Sequence, residues 1–181
     1  MAAQLNKMIP VAQRIFAKNF KSARLAAGLR QQDVQRITGL SQPYLSDLER
    51  FRVGIGIDTM AILAQAVQVP LFHLLQPEFF KTYDLKDDSI WQLYQQFIDN
   101  SQNVPYERKL FARRLQESRE ALQLTRTDMA QLTGMAQDFL RSVEREEVDI
   151  SINSAIKLVQ AVGKPLYQLL MPKALESPDL F

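Results

Sequence analysis

Asp33-Val34-Gln35-Arg36-Ile37-Thr38-Gly39-Leu40-Ser41-Gln42-Pro43-Tyr44-Leu45-Ser46-Asp47-Leu48-Glu49-Arg50 returns ninety-five positions later as Asp128-Met129-Ala130-Gln131-Leu132-Thr133-Gly134-Met135-Ala136-Gln137-Asp138-Phe139-Leu140-Arg141-Ser142-Val143-Glu144-Arg145. Each stretch breaks at Thr-Gly, where glycine allows the positive φ that a sharp turn demands. Ser41 then stands where an N-cap belongs. Leu45 and Leu48, three residues apart, share one face of the helix that follows. The reading is a short helix, a tight turn and a second short helix, written twice.

The match extends without a gap from residues 10–77 to residues 105–172, and includes Phe16/Phe111 and Arg24/Arg119. A copy of this kind is one structural unit used twice. The first helix opens at Pro10, whose missing N–H is harmless in an opening turn, and Ile15, Phe16, Phe20, Ala23 and Ala27 are spaced for one apolar face. Gly28 is a natural stop. The second helix covers residues 31–37 and is expected to bury Val34 and Ile37, and the third covers residues 42–50. After the glycine-rich Gly54-Ile55-Gly56-Ile57, Asp58 is read as the N-cap of a fourth helix carrying Ile62, Leu63, Ala66 and Val67. Pro70 opens a short fifth helix ending near Leu75. In the second unit Thr125 and Asp128 have the spacing of a capping box, where the first unit has Arg30, so that helix should start more firmly. No period-two alternation occurs, so the expected class is all-α: two tandem five-helix units. The boundaries are residues 1–77 (core 10–77), a connector 78–104, residues 105–172 and a tail 173–181.

The 181 residues, 46% hydrophobic, suit two small helical units better than one medium domain. No apolar run approaches a bilayer span, and Lys7 is not followed by the apolar core of a secretory signal, so a cytoplasmic protein without membrane partners is expected. The chain has no cysteine, which excludes disulfides and thiolate catalysis, and one histidine, His73, which leaves a transition metal almost no ligands. Neither a phosphate-cradling Lys-Ser/Thr loop nor a nucleophile pair is present. No cofactor, metal or catalytic residue is expected. Charge is uneven: residues 10–77 hold eight basic against four acidic side chains, residues 105–172 ten against nine, and the connector two against five. Contact with a polyanion should therefore concentrate in the repeated units, chiefly the first.

Arg24, Gly28-Leu29, Gln31-Gln32-Asp33-Val34, Thr38-Gly39-Leu40-Ser41-Gln42 and Leu45-Ser46-Asp47-Leu48-Glu49-Arg50 together resemble the Cro/CI-type (XRE) helix-turn-helix of phage repressors and bacterial regulators. The resemblance covers nearly all of both units and implies a sequence-specific regulator of bacterial, plasmid or phage type bound to double-stranded DNA. It places the third helix in the major groove, with the second bracing it across the backbone. Gln42, Pro43, Tyr44, Ser46 and Asp47 become the base readers. Their chemistry suits this, since Gln pairs bidentately with adenine, Asp accepts from cytosine and apolar groups meet thymine methyls. Arg30, Gln31, Arg50 and Arg52 flank them for phosphates, Gln31 at a helix opening that favours an anion. The second-unit counterparts are Arg126, Gln137, Phe139, Arg141 and Ser142, with Asp138 repelled by phosphates. The resemblance also implies structural ion pairs between first and third helices, Arg24 with Glu49 and Arg119 with Glu144.

The units differ most where Arg145-Glu146-Glu147-Val148-Asp149 replaces Arg50-Phe51-Arg52-Val53-Gly54. Three acids beside the expected backbone track should weaken DNA binding through repulsion. The first unit is thus the principal reader, and the second a weaker reader or a contact surface. In the connector, Asp88 would cap a helix whose stripe is Ile90, Trp91, Tyr94, Phe97 and Ile98, preceded by Phe79, Phe80 and Tyr83. Trp91, Tyr94 and Phe97 either pack between the chain's own units or anchor a homodimer. Two half-sites roughly 34 Å apart could be met by a dimer or by one chain. The acidic loop and aromatic connector also admit an alternative function, a protein-interaction module, either an antitoxin-like partner or an adaptor, on the same fold.

Overall fold

A computed structural model describes residues 10–79, 84, 88–98 and 104–176. Among these, helices α1 (Val11–Ala26), α2 (Gln31–Thr38), α3 (Gln42–Glu49), α4 (Ile57–Ala66) and α5 (Leu71–Leu74) are followed by α6 (Ser89–Gln95). Then come α7 (Tyr106–Ala121), α8 (Arg126–Thr133), α9 (Gln137–Glu144), α10 (Ile152–Ala161) and α11 (Leu166–Leu169), and a 3₁₀ turn at Lys173–Leu175. The order of α1 to α5 recurs in α7 to α11, ninety-five positions on. We refer to these stretches as the first and second halves. Phe80, Tyr83 and Asp87 lie outside the described residues.

Local chemistry sets most helix ends. Gly28, at φ 70°, closes α1 in a Schellman turn, with Leu29 N–H on Arg24 C=O at 3.0 Å and Gly28 N–H on Leu25 C=O at 3.0 Å. In the second half Gln123 holds the same left-handed conformation at φ 56°. Gly39 and Gly134, at φ 74° and 70°, make the turns after α2 and α8. The threonine before each glycine bonds back into its helix, Thr38 Oγ1 to Val34 C=O at 2.8 Å and Thr133 Oγ1 to Met129 C=O at 2.6 Å. Capping divides unevenly between the halves. Thr125 caps α8 through Asp128 N–H at 3.1 Å while Arg30 gives α2 no side-chain cap; Ser41 caps α3 through Tyr44 N–H at 3.3 Å while Ala136 gives α9 none.

Four sequence expectations are corrected. Ile37 is 58% exposed, because α2 turns only the row containing Val34 toward the core, and Leu132 repeats the exposure in α8. Ala27 is exposed as the C-cap of α1 rather than part of its buried face. Asp58 is not an N-cap: Gly56 holds that position, and Asp58 sits in the first turn of α4. Asp88 occupies the cap position of α6 but its carboxylate accepts from Gln92 Nε2 at 2.7 Å instead of capping the backbone.

The halves pack about an internal two-fold. α1 meets α10, α4 meets α7, and α5 meets α11. Exchanging halves swaps the first two pairs and leaves the third unchanged. At the axis Ile57 N–H donates to Ile150 C=O at 3.1 Å and Ile152 N–H to Ile55 C=O at 2.9 Å, a reciprocal pair around the isolated bridge Gly56–Ser151. The isologous geometry is that of a C₂ dimer interface, realised within one chain. One apolar core runs through both halves, from Phe16, Phe20 and Leu48 to Phe111, Leu140 and Leu169. The connector helix closes the seam. Trp91 and Tyr94 are buried, Phe97 stacks on Tyr106 with centroids 6.3 Å apart, and Tyr94 Oη donates to the buried Glu107 Oε1 at 3.0 Å. Burial holds the Glu107 carboxyl above its ordinary pKa.

Candidate nucleic-acid interface

The turn at Gly39 and the Ser41 cap aim α3 so that Leu45 and Leu48 enter the core and the opposite side faces solvent. Gln42 and Pro43 are exposed at its amino end, and Ser46 and Asp47 are half-buried further along. Gln42 is held in place. Its Nε2 donates to Gln31 Oε1 at 3.1 Å, and Gln31 Nε2 donates to Glu49 Oε2 at 3.1 Å. Glu49 anchors this line, since Arg24 Nε and Nη2 reach its two oxygens at 2.7 and 3.0 Å while Arg24 Nη1 binds Leu29 C=O at 2.7 Å. Both members of this ion pair are at most 7% exposed, so the bidentate geometry and the added carbonyl offset the desolvation of each charge.

Around α3, Arg30 and Arg50 are exposed and form no ion pair among the described residues, and Arg52 lies 3.8 Å from Asp47 across half-exposed side chains. Tyr44 points elsewhere. Its hydroxyl donates to Gly54 C=O at 3.3 Å, and burial together with the Asp149 charge raises its phenol above the ordinary value. It faces the loop between α3 and α4 rather than the outward side that carries Gln42 and Pro43.

The second half assembles its equivalents differently. Arg119 Nε meets Glu144 Oε1 at 2.6 Å, but Arg126, the counterpart of Gln31, adds a second cation on Glu144 at 2.7 Å. Gln137 therefore turns to Thr127 Oγ1 at 3.1 Å. Arg141 pairs with Asp138 at 3.2 Å, while Phe139 and Ser142 are half-buried.

The acidic stretch after α9 has a role that its charge alone did not announce. Asp149 Oδ1 accepts from Asp58 N–H at 3.1 Å, so a carboxylate of the second half caps a helix of the first. Arg108 completes the contact, with Nε on Asp58 Oδ1 at 2.9 Å and Nη1 on Glu146 C=O at 3.2 Å. The signal available in sequence was Gly56, where an added Cβ would sit 2.2 Å from Asp149 Oδ2.

A family model described as helix-turn-helix matches residues 20–74, the span that holds α2, the Gly39 turn and α3. An uncharacterized HTH-type transcriptional regulator of Sinorhizobium fredii is 38% identical over 65 residues, covering 36% of this chain and 84% of that protein. The chain belongs to the XRE-type helix-turn-helix family of DNA-binding transcriptional regulators. No solved structure matches it. Within this helix-turn-helix protein, no helix among the described residues is long and apolar enough to cross a membrane.

Proposed function

We propose that this protein is a sequence-specific transcriptional regulator that binds double-stranded DNA as one chain, with residues 10–77 and 105–172 acting as two helix-turn-helix units about the internal two-fold. The observation that carries the reading is Gln42, exposed at the start of a capped α3 and fixed through Gln31 to the buried Glu49. A preset side chain loses less entropy on meeting a base edge. Gln42, Pro43, Ser46 and Asp47 read bases, Tyr44 supports the loop behind them, and Arg30, Gln31, Arg50 and Arg52 meet phosphates.

The second unit is the weaker reader. Arg126 and Arg141 already hold carboxylates, on Glu144 and Asp138, whereas Arg30 and Arg50 of the first unit hold none among the described residues. A phosphate would have to displace those partners, which costs part of the attraction. The operator is accordingly two half-sites of unequal stringency.

Selection of bound fragments from a random duplex pool, with light scattering on the complex, tests this. We expect one chain per fragment, one well-defined half-site and one relaxed. Affinity should fall with salt by about 0.9 log units per neutralised phosphate per log unit of salt. Weak, salt-insensitive binding would overturn the reading in favour of a protein-interaction module.

A further inference from the structure

Among the described residues, a groove of about 500 Å³ opens along the seam between the halves, walled by Val11, Ala12 and Ile15 of α1 and by Val159, Leu166 and Tyr167 of the second half. Its size and apolar walls are those of a small-molecule site, and such sites favour interfaces between structural units. The internal two-fold gives it a counterpart on the opposite side of the molecule, and that counterpart is filled. Tyr94 of the connector packs there edge-on to Phe72 with centroids 5.9 Å apart, edge-on to Tyr106 at 6.1 Å, and bonds Glu107 at 3.0 Å. Shifted by ninety-five positions, these three partners become Tyr167, Val11 and Ala12, all of which line the open groove. The molecule thus displays in one groove the kind of group that the other can hold, a flat ring with a polar tip.

Two exchanges change what that tip must be. Glu107, which accepts the Tyr94 hydroxyl's hydrogen bond, is replaced by Ala12, so the acidic acceptor is gone. Val69 is replaced by Lys164, an exposed lysine that forms no ion pair among the described residues. The charge at the groove changes from acidic to basic. Gln160 adds an amide beside it. We propose that this groove binds a small apolar carboxylate, its ring or acyl body between Val11, Val159 and Tyr167 and its anionic end at Lys164. The site draws on both halves, so it exists only while they are docked, and it does not depend on the DNA-reading proposal.

Titration calorimetry of the full-length protein without DNA tests this, using 4-phenylbutyrate with 4-phenylbutylamine as the charge-reversed probe. We expect saturable one-to-one binding of the carboxylate and none of the amine. Lys164→Glu should weaken the carboxylate roughly tenfold or more, and Ala12→Glu, which restores the acid of the filled groove, should do the same and admit the amine. Thermal melts of both variants, whose changes lie at exposed or half-buried positions, serve as the folding control. Absence of saturable binding by the wild-type protein, or binding undiminished in both variants, would overturn the proposal. So would a two-chain mass in light scattering that falls to one chain in Lys164→Glu, which would assign the groove to a second copy.

Discussion

Gln42 donates to Gln31 at 3.1 Å, and the same Gln31 side chain donates onward to Glu49. The amide at the tip of α3 is therefore tied, through one intermediary, to an ion pair sealed inside the fold. In the second half Arg126 takes the intermediary's position and keeps both its charge and its bonds for Glu144.

Gln42→Ala should relax preference at one base pair by about 1–3 kcal/mol and leave the others unchanged. Gln31→Ala should blur the same position by less, since Gln42 remains but is no longer held. Arg52→Ala should instead weaken all sequences evenly. Binding to an operator series varied one position at a time separates the three patterns, and an unchanged preference in Gln42→Ala would remove that side chain from the reading set.

Gly56→Ala should destabilise the protein by about 1 kcal/mol, because its φ of −99° suits alanine but the new methyl pushes the Asp149 carboxylate off its cap on Asp58 N–H. The cost belongs to the seam between the halves. A double-mutant cycle with Asp149→Ala in urea should recover most of it, and strict additivity would mean that the two groups do not meet.

Gln68 and Gln123 hold left-handed backbone at φ 56° each, where their counterparts in the other half are Gly163 and Gly28. Replacing either glutamine by glycine should relieve the strain of a side chain there and raise stability by about 0.5–1 kcal/mol, offset in part by the freer unfolded chain. Chemical unfolding of the two single variants is the check, and a loss of stability in both would contradict the assigned backbone.

Burial lowers the pKa of His73 to about 4 from an ordinary 6.5, against a raising hydrogen bond from Gln76. Between those values the unfolded chain takes up a proton that the folded chain refuses. Stability is therefore full above about pH 6.5 and declines as pH drops toward 4, by an amount on the order of 2–3 kcal/mol. As pH drops through this range the urea midpoint of the wild-type protein should fall relative to that of His73→Leu, and parallel curves would show that His73 does not titrate this way.

Helix ends were legible in the sequence where a single residue fixes them, as Pro10, Gly39, Ser41 and Thr125 do. Faces were less legible. Val34 and Ile37 have helical spacing, yet α2 has one packed row, so only a neighbour in space could show that Ile37 stays outside. Asp58 has the right type for an N-cap and sits two residues past the cap position, because Gly56, not the aspartate, carries the last extended backbone before α4. The docking of the halves was legible only in the aromatic stripe of the connector, whose sequence admits either packing between the units or anchoring a homodimer. Elsewhere the docking runs through main-chain groups of Ile55, Ile57, Ile150 and Ile152, which every sequence offers, and through the side chain that Gly56 lacks. Asp149 drew attention as a repulsive charge, and its capping partner lies ninety-one residues away.

The seam at Gly56 and Ser151 joins parts that share a backbone, so dilution cannot separate them: the local concentration of one half around the other is set by the tether, in the millimolar range typical of short linkers. If the protein binds DNA as the single chain proposed above, occupancy of a target should rise with the first power of protein concentration, with no threshold for self-association. Inheritance changes too. A mutation in a homodimer alters both sides of its axis at once, whereas here each side can be changed alone, as the differing caps at Ser41 and Ala136 and at Arg30 and Thr125 allow.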